Sequence, residues 1–261
     1  MRKIIFTMTI SMIAGLVFAQ APVAQTPVEQ TPVIMVQEQP PDVSVSADVG
    51  VYSAYVWRGL VLNGNMVAQP SVTAAYGPFS LNVWGNFDLI DPSHNNTEVD
   101  YTAAYTLPLN TEAVAVDVGF IYYTFPGGND TDATEEIFVK TTFNNIILTP
   151  VASLYYDIDE VNGWYGNLAV SQSVEISDAM TAKIGGSIGC GTRNYNSYMF
   201  GEHKNAVNDY NIYVSAEYAL TEKLSVGALL QYTRLDSEVA NEIYDSDALI
   251  WGGINLSYKF L

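Results

Sequence analysis

The stretch Val43-Ser-Val-Ser-Ala-Asp-Val-Gly-Val-Tyr-Ser-Ala-Tyr-Val-Trp-Arg58 alternates almost without interruption. Val43, Val45, Ala47, Val49, Val51, Tyr55 and Trp57 fall on one side, and Ser44, Ser46, Asp48, Gly50, Tyr52 and Arg58 on the other. Successive side chains of an extended chain point to opposite faces, so this pattern predicts a strand with one oily side and one small or polar side. No helical stripe at 3.6-residue spacing competes with it.

The same rhythm returns down the chain, and predicts strands at 66–76, 79–88, 97–107, 113–125, 135–143, 146–157, 164–176, 180–192, 207–220, 223–235 and 248–260. The links between them alternate strictly in length. Short ones lie at 77–78, 108–112, 144–145, 177–179 and 221–222, and long ones at 59–65, 89–96, 126–134, 158–163, 193–206 and 236–247. Tight turns at one end and long loops at the other, with an even strand count, describe a transmembrane up-and-down barrel. Closure is what lets a sheet cross lipid, because an open edge would leave backbone N–H and C=O groups unpaired in hydrocarbon. The expected fold is therefore all-β: an antiparallel transmembrane β-barrel of about twelve strands.

Composition agrees with this reading. Charged residues make up 15% of the chain and hydrophobic ones 49%, with 18 Tyr, 10 Phe and 4 Trp; a soluble domain carries nearer ~25% charge. The net charge of -18 excludes nucleic acid as a partner, since phosphate recognition needs clustered Lys and Arg. The single cysteine, Cys190, excludes an internal disulfide framework and a multi-Cys metal centre.

The beginning of the chain has the order of an export signal over 1–19: Arg2 and Lys3, an apolar run from Ile4 to Phe18, then small residues around Ala19. Loss of those two cations takes the charge from -18 to -20. Residues 20–42 come next, with prolines at 22, 27, 32, 40 and 41 and the near-repeat Gln25-Thr-Pro-Val-Glu, Gln30-Thr-Pro-Val. Proline at that density prevents helix and ladder pairing and predicts a periplasmic linker. The barrel then occupies 43–261.

Aromatic residues fall where two membrane interfaces would lie. Tyr76, Phe79, Tyr105, Phe143, Tyr218, Tyr258 and Phe260 mark the expected periplasmic rim, and Trp57, Phe87, Tyr122, Tyr156, Trp164, Tyr210 and Tyr232 the external one. The last strand places Ile254, Leu256, Tyr258 and Phe260 on one face. This ending resembles the C-terminal signature of outer-membrane barrels, and implies delivery by the barrel-insertion machinery.

Ser53-Ala-Tyr-Val-Trp-Arg-Gly59, Gln69-Pro70, Val83-Trp-Gly-Asn86 and Glu98-Val-Asp100 resemble the TorF-like family of Gram-negative outer-membrane proteins. The resemblance covers mainly the first part of the barrel. It implies location in the outer membrane, in contact with its lipids and lipopolysaccharide, and assigns no activity to any residue.

Alternation also predicts which charged side chains line the lumen: Asp48, Arg58, Asp100, Asp117, Lys140, Lys183, Arg193, Asp209 and Glu217, with Lys259 beside them. Lys140 is expected diagonal to Asp117, and Lys183 nearly opposite Glu217. Such charges either select solutes or knit the wall into an occluded bore. The external loops are acidic, with Asp88, Asp91, Asp130, Asp132, Glu135, Glu136, Asp157, Asp159, Glu160, Asp236, Glu238, Glu242, Asp245 and Asp247. That charge favours cations at the mouth, or divalent ions held by oxygen ligands.

The two histidines, His94 and His203, stand far apart in long loops and lack metal-ligand or nucleophile-base spacing. No catalytic, cofactor or metal residue is assigned. The leading expectation is a narrow porin-like channel for small hydrophilic solutes with cation preference, Arg58 forming a positive contact near the external rim. The rival is a non-transporting structural or surface-interaction barrel, and a rim enzyme built on a histidine comes third.

Overall fold

The computed structural model describes residues 42–91, 97–126, 132–240 and 248–261. The expected export signal and all of the linker but Asp42 lie outside the described residues, as do His94, Asp130, Glu242, Asp245 and Asp247. In chain order the elements are β1 (Val43–Tyr52), β2 (Tyr55–Trp57), β3 (Leu60–Asn63), β4 (Val67–Tyr76), β5 (Phe79–Asp88), β6 (Glu98–Thr106), β7 (Val114–Thr124), β8 (Thr134–Phe143), β9 (Val151–Asp157), β10 (Trp164–Ser177), β11 (Met180–Gly191), α1 (Arg193–Phe200), β12 (Ala206–Ala219), β13 (Leu224–Leu235) and β14 (Ala248–Lys259).

All strands except β2 and β3 form one closed antiparallel barrel of twelve, each paired with its neighbours in sequence. The seam joins β1 to β14, with Val49 opposite Leu256 and Val51 opposite Ile254. Closure gives every wall strand two partners, which removes the free edges of an open sheet.

Alternation sorts the side chains as the sequence predicts. On β5, Leu81 and Val83 face outward at 62% and 44% exposure, while Ser80, Asn82, Trp84 and Asn86 are buried inside. Ile212 on β12 is 61% exposed between buried Asn211 and half-buried Tyr213. An outer surface so rich in exposed Leu, Ile and Val suits hydrocarbon rather than water. Among the described residues no helix is long and apolar enough to cross a membrane.

One end of the barrel carries tight turns such as Gly77-Pro78, where Gly77 takes φ 56, and the other carries the long loops and α1. Phe79 and Tyr105 meet at a tilt at the turn end with centroids 4.7 Å apart, and Tyr156 and Trp164 at the loop end with 4.5 Å. Two sequence expectations fail. β9 begins at Val151 instead of 146, because Leu148 and Thr149 take positive φ (69 and 33) and Pro150 comes directly after, so this turn is longer than two residues. The first strand ends at Tyr52, well before Arg58, and the chain beyond Tyr52 leaves the wall.

Candidate functional site

Residues 55–63 form a hairpin of their own, β2 on β3, paired with no wall strand. Its two-residue tip is Arg58-Gly59, at φ 47 and 86. Positive φ at both positions is the signature of a type I′ turn, whose twist suits a short hairpin. Glycine takes that conformation freely, whereas arginine seldom does and needs its side chain fixed from outside.

The fixing comes from the far wall. β1 and β9 stand half-way round the ring from each other, so the hairpin crosses the lumen. Arg58 donates two hydrogen bonds to Glu136 on β8, at 2.7 and 2.6 Å, and its guanidinium carbon lies 4.4 Å from the Trp57 ring centroid, 4.5 Å from that of Tyr155 and 4.4 Å from that of Tyr165. Tyr195 of α1 completes the cage at 5.7 Å. Bidentate pairing and aromatic stacking are what the planar guanidinium does best.

Burial works against the charge of Arg58, but the adjacent Glu136 carboxylate more than offsets it and holds the guanidinium protonated. Burial also pushes the Tyr195 phenol well above its ordinary range. Tyr123 adds a third donor to Glu136, at 2.8 Å.

Around this pair the loop-end half of the lumen is packed. Tyr55 tilts on Trp84 with centroids 5.5 Å apart, and Trp57 meets Tyr123 edge-on at 6.3 Å. A Cβ on Gly59 would come within 2.6 Å of Asp209 Cβ and Leu235 Cδ2, so the tip presses against β12 and β13. Asp209 accepts from Tyr165 Oη at 2.8 Å and Asn211 Nδ2 at 2.8 Å, and Asn211 in turn accepts from Gln231 and Thr233. Asn86, Asp100, Asn208 and Asp209 are 0% exposed. The turn-end half is different: Ser153, Lys140 and Lys183 face inward and are only half-buried, so the interior there is a polar, less closely packed cup.

The sequence-predicted lumen residues divide between these two regions. Arg58, Asp100 and Asp209 lie in the packed half. Asp117, directly opposite Lys140 in the ladder, accepts from Thr106 Oγ1 at 2.7 Å. Lys183 is opposite Ser215 and diagonal to Glu217, which pairs with Thr181. These four line the cup, as does Asp48, which accepts a hydrogen bond from Ser257. Arg193 opens α1 and is exposed, outside the lumen wall.

Trp57 and Tyr55, expected on the lipid side, are buried inside, because the chain turns inward after Tyr52. Arg58, expected as a solvent contact near the rim, is enclosed. Glu136, grouped in the sequence with the acidic loops, faces inward on β8, four positions from Lys140 on the same face; that spacing was its available signal. Tyr123, Tyr155, Tyr165 and Tyr195 escape the sequence reading altogether, and Glu98 enters it only within a family motif.

Ser197 Oγ lies 2.8 Å from His203 Nδ1 on the exposed α1 loop. A nucleophilic serine uses the other ring nitrogen, leaving Nδ1 for the acid, so this contact is not that of a hydrolase dyad. Among the described residues no group of three or more His, Cys, Asp or Glu is placed to hold a metal ion. Asp157 is instead occupied by its own loop, accepting from Asp159 N, Val161 N and Thr134 Oγ1.

Residues 37–245 match a family model described as a bacterial protein of unknown function (Gcw_chp), a description that differs from the TorF-like name suggested by the short motifs. No curated protein matches the sequence. Among solved structures, the KdgM porin shares 9% identity and aligns over 84% of this chain and 99% of its own, with a TM-score of 0.53. The NanC porin shares 13% identity over 82% of this chain and 98% of its own, also at 0.53. The KdgM porin in complex with disordered oligogalacturonate aligns at 10% identity, over 84% and 99%, with a TM-score of 0.51. At these identities the likeness is one of fold.

Proposed function

We propose that this chain, which belongs to the Gcw_chp family of bacterial proteins, is an outer-membrane channel for small hydrophilic solutes whose bore is held shut or very narrow by its inward hairpin. In this reading the turn end faces the periplasm, the loop end faces outward against lipopolysaccharide, and an N-terminal linker hangs in the periplasm. The observation that carries the proposal is the pairing of a polar, less closely packed turn-end interior with a loop-end plug anchored by Arg58 and Glu136.

A solid barrel has no need of a cup, and an open porin has no need of a latch. The two together suit a conduit that conducts when the hairpin withdraws. One protein of the same fold, the KdgM porin, was solved with an oligogalacturonate, which supports solute passage as a use of this architecture. Cation preference, expected from the acidic loops, belongs to the mouth; Asp100 and Asp209 meet no water in this conformation and set selectivity only once the hairpin has moved.

Planar-bilayer recording tests the proposal. The wild-type barrel is expected to give small or infrequent conductance, and a variant with residues 55–63 replaced by a short flexible loop to give a larger, steady one with a cation-biased reversal potential. Silence from both would favour the second reading, a structural barrel closed for good, for which the complete burial of the loop-end lumen also speaks.

A further inference from the structure

Buried carboxylates outnumber buried cations in the plug. Glu136 is matched by Arg58, and Asp209 by the donors Tyr165 and Asn211. Glu98 and Asp100 are not matched in this way. They occupy successive inward positions of β6, at 6% and 0% exposure. Glu98 and Asp100 are within hydrogen-bonding reach of each other, and neither carboxylate oxygen of Asp100 has a donor of its own.

Two neutral oxygens lie in the same place. The Asn82 amide nitrogen donates to Thr73 Oγ1 at 2.8 Å and to Val72 O at 3.3 Å, leaving Asn82 Oδ1 buried and unpartnered. Register sets Trp84 opposite Asp100 and Asn82 opposite Thr102, so Asn82 and Asp100 are diagonal neighbours on the inner face. From the hairpin side comes the Tyr55 hydroxyl, buried, beside Glu98 and within electrostatic reach of both acids.

Isolated charges in such a place are strongly disfavoured unless a counter-charge or hydrogen bonds meet them. We propose that Glu98, Asp100, Asn82 Oδ1 and the Tyr55 hydroxyl form a divalent-cation site, with calcium as its occupant, at the seam between hairpin and wall. Two carboxylates balance the ion's charge, and the donor set is wholly oxygen. Calcium accepts irregular shells completed by water, whereas magnesium demands a near-ideal octahedron and gives up water reluctantly. The bound ion would fasten the hairpin to β6, two strands round the ring from β8, which carries the latch partner Glu136. The site stands whether or not the barrel conducts.

Terbium luminescence tests it, because Trp84 stands beside Tyr55 and serves as a built-in sensitiser. The folded full-length barrel, stripped with chelator, is titrated with Tb³⁺ and then with Ca²⁺ or Mg²⁺. Sensitised emission displaced by Ca²⁺ at lower concentration than Mg²⁺ is expected, and Asp100→Asn and Asn82→Ala are each expected to weaken terbium binding roughly tenfold or more. Unboiled electrophoretic mobility verifies that each variant is still a barrel, with Glu98→Gln in reserve should Asp100→Asn not assemble. Equal emission from wild type and variants would assign the signal to the acidic loops and overturn the site. Absence of any Ca²⁺-displaceable emission would overturn it too, in favour of a proton shared by the two acids.

Discussion

Arg58→Ala removes one half of a fully buried, bidentate ion pair and leaves Glu136 with Tyr123 as its remaining side-chain donor. Breaking such a pair from one side costs about 3–5 kcal/mol, most of it the penalty of stranding the surviving charge. The loss of stacking on Trp57, Tyr155 and Tyr165 adds to that. The wall strands keep all their ladder bonds, so the cost falls on hairpin docking rather than on barrel closure. At about 1.4 kcal/mol per factor of ten, docking weakens by roughly 10²- to several thousand-fold. Arg58→Ala with Glu136→Gln removes both charges and is expected to recover a large part of the loss, as a double-mutant cycle would show. Two readouts track the hairpin: chymotrypsin cleavage at Tyr55 and Trp57 in the folded barrel, and single-barrel conductance. Protection and conductance both unchanged in Arg58→Ala would refute the claim that this latch seats the hairpin.

Gly59→Ala forces a Cβ into Asp209 and Leu235 at a residue with φ 86, so the hairpin is expected to loosen by about 1–3 kcal/mol; proteolysis as fast as that of Arg58→Ala is the expected sign, and wild-type resistance the contrary one. Tyr165→Phe deprives Asp209 of a donor at 2.8 Å and is expected to lower stability in urea by about 1–3 kcal/mol, an effect that conversion of Asp209 to Asn in the same chain reduces. Leu154→Arg places a cation on the outer face and is expected to cost about 2–4 kcal/mol of folding into vesicles, while Ser153→Arg, one position along and facing the cup, costs far less; similar costs for the two would contradict the inside–outside assignment. Cys190, exposed on the outer face of β11 between inward Gly189 and Gly191, offers a native label site: a nitroxide there is expected to be relaxed by oxygen more than by a water-soluble nickel chelate, and the reverse order would take that face out of lipid.

The barrel was legible in the sequence because lipid outside and polar side chains inside impose period two on every wall strand. The same regularity hid the hairpin. β2 is itself extended, so Tyr55 and Trp57 continue the alternation of Val43 to Val51 while the chain has already left the wall, and only Gly59 signals a turn. Arg58 is recognisable as a lumen residue, but its ion-pair partner Glu136 lies 78 residues away, a pairing that depends on which strands face each other across the bore. Alternation assigns a residue to a face; it does not say what fills the space beyond that face. The aromatic rings of the cage were therefore unreadable, since buried Tyr and Trp obey the same pattern as interfacial ones.

The seam also constrains the order of assembly. Gly252 donates to Ser53 Oγ across 199 residues, and Ser257 bonds Asp48 across 209, so the ring cannot shut until the final strand exists. The hairpin emerges early and its anchors arrive later, on β8, β9, β10 and α1, so during synthesis it has no socket to enter. Contacts this distant in sequence make folding slow. The cylinder is thus built around its own stopper.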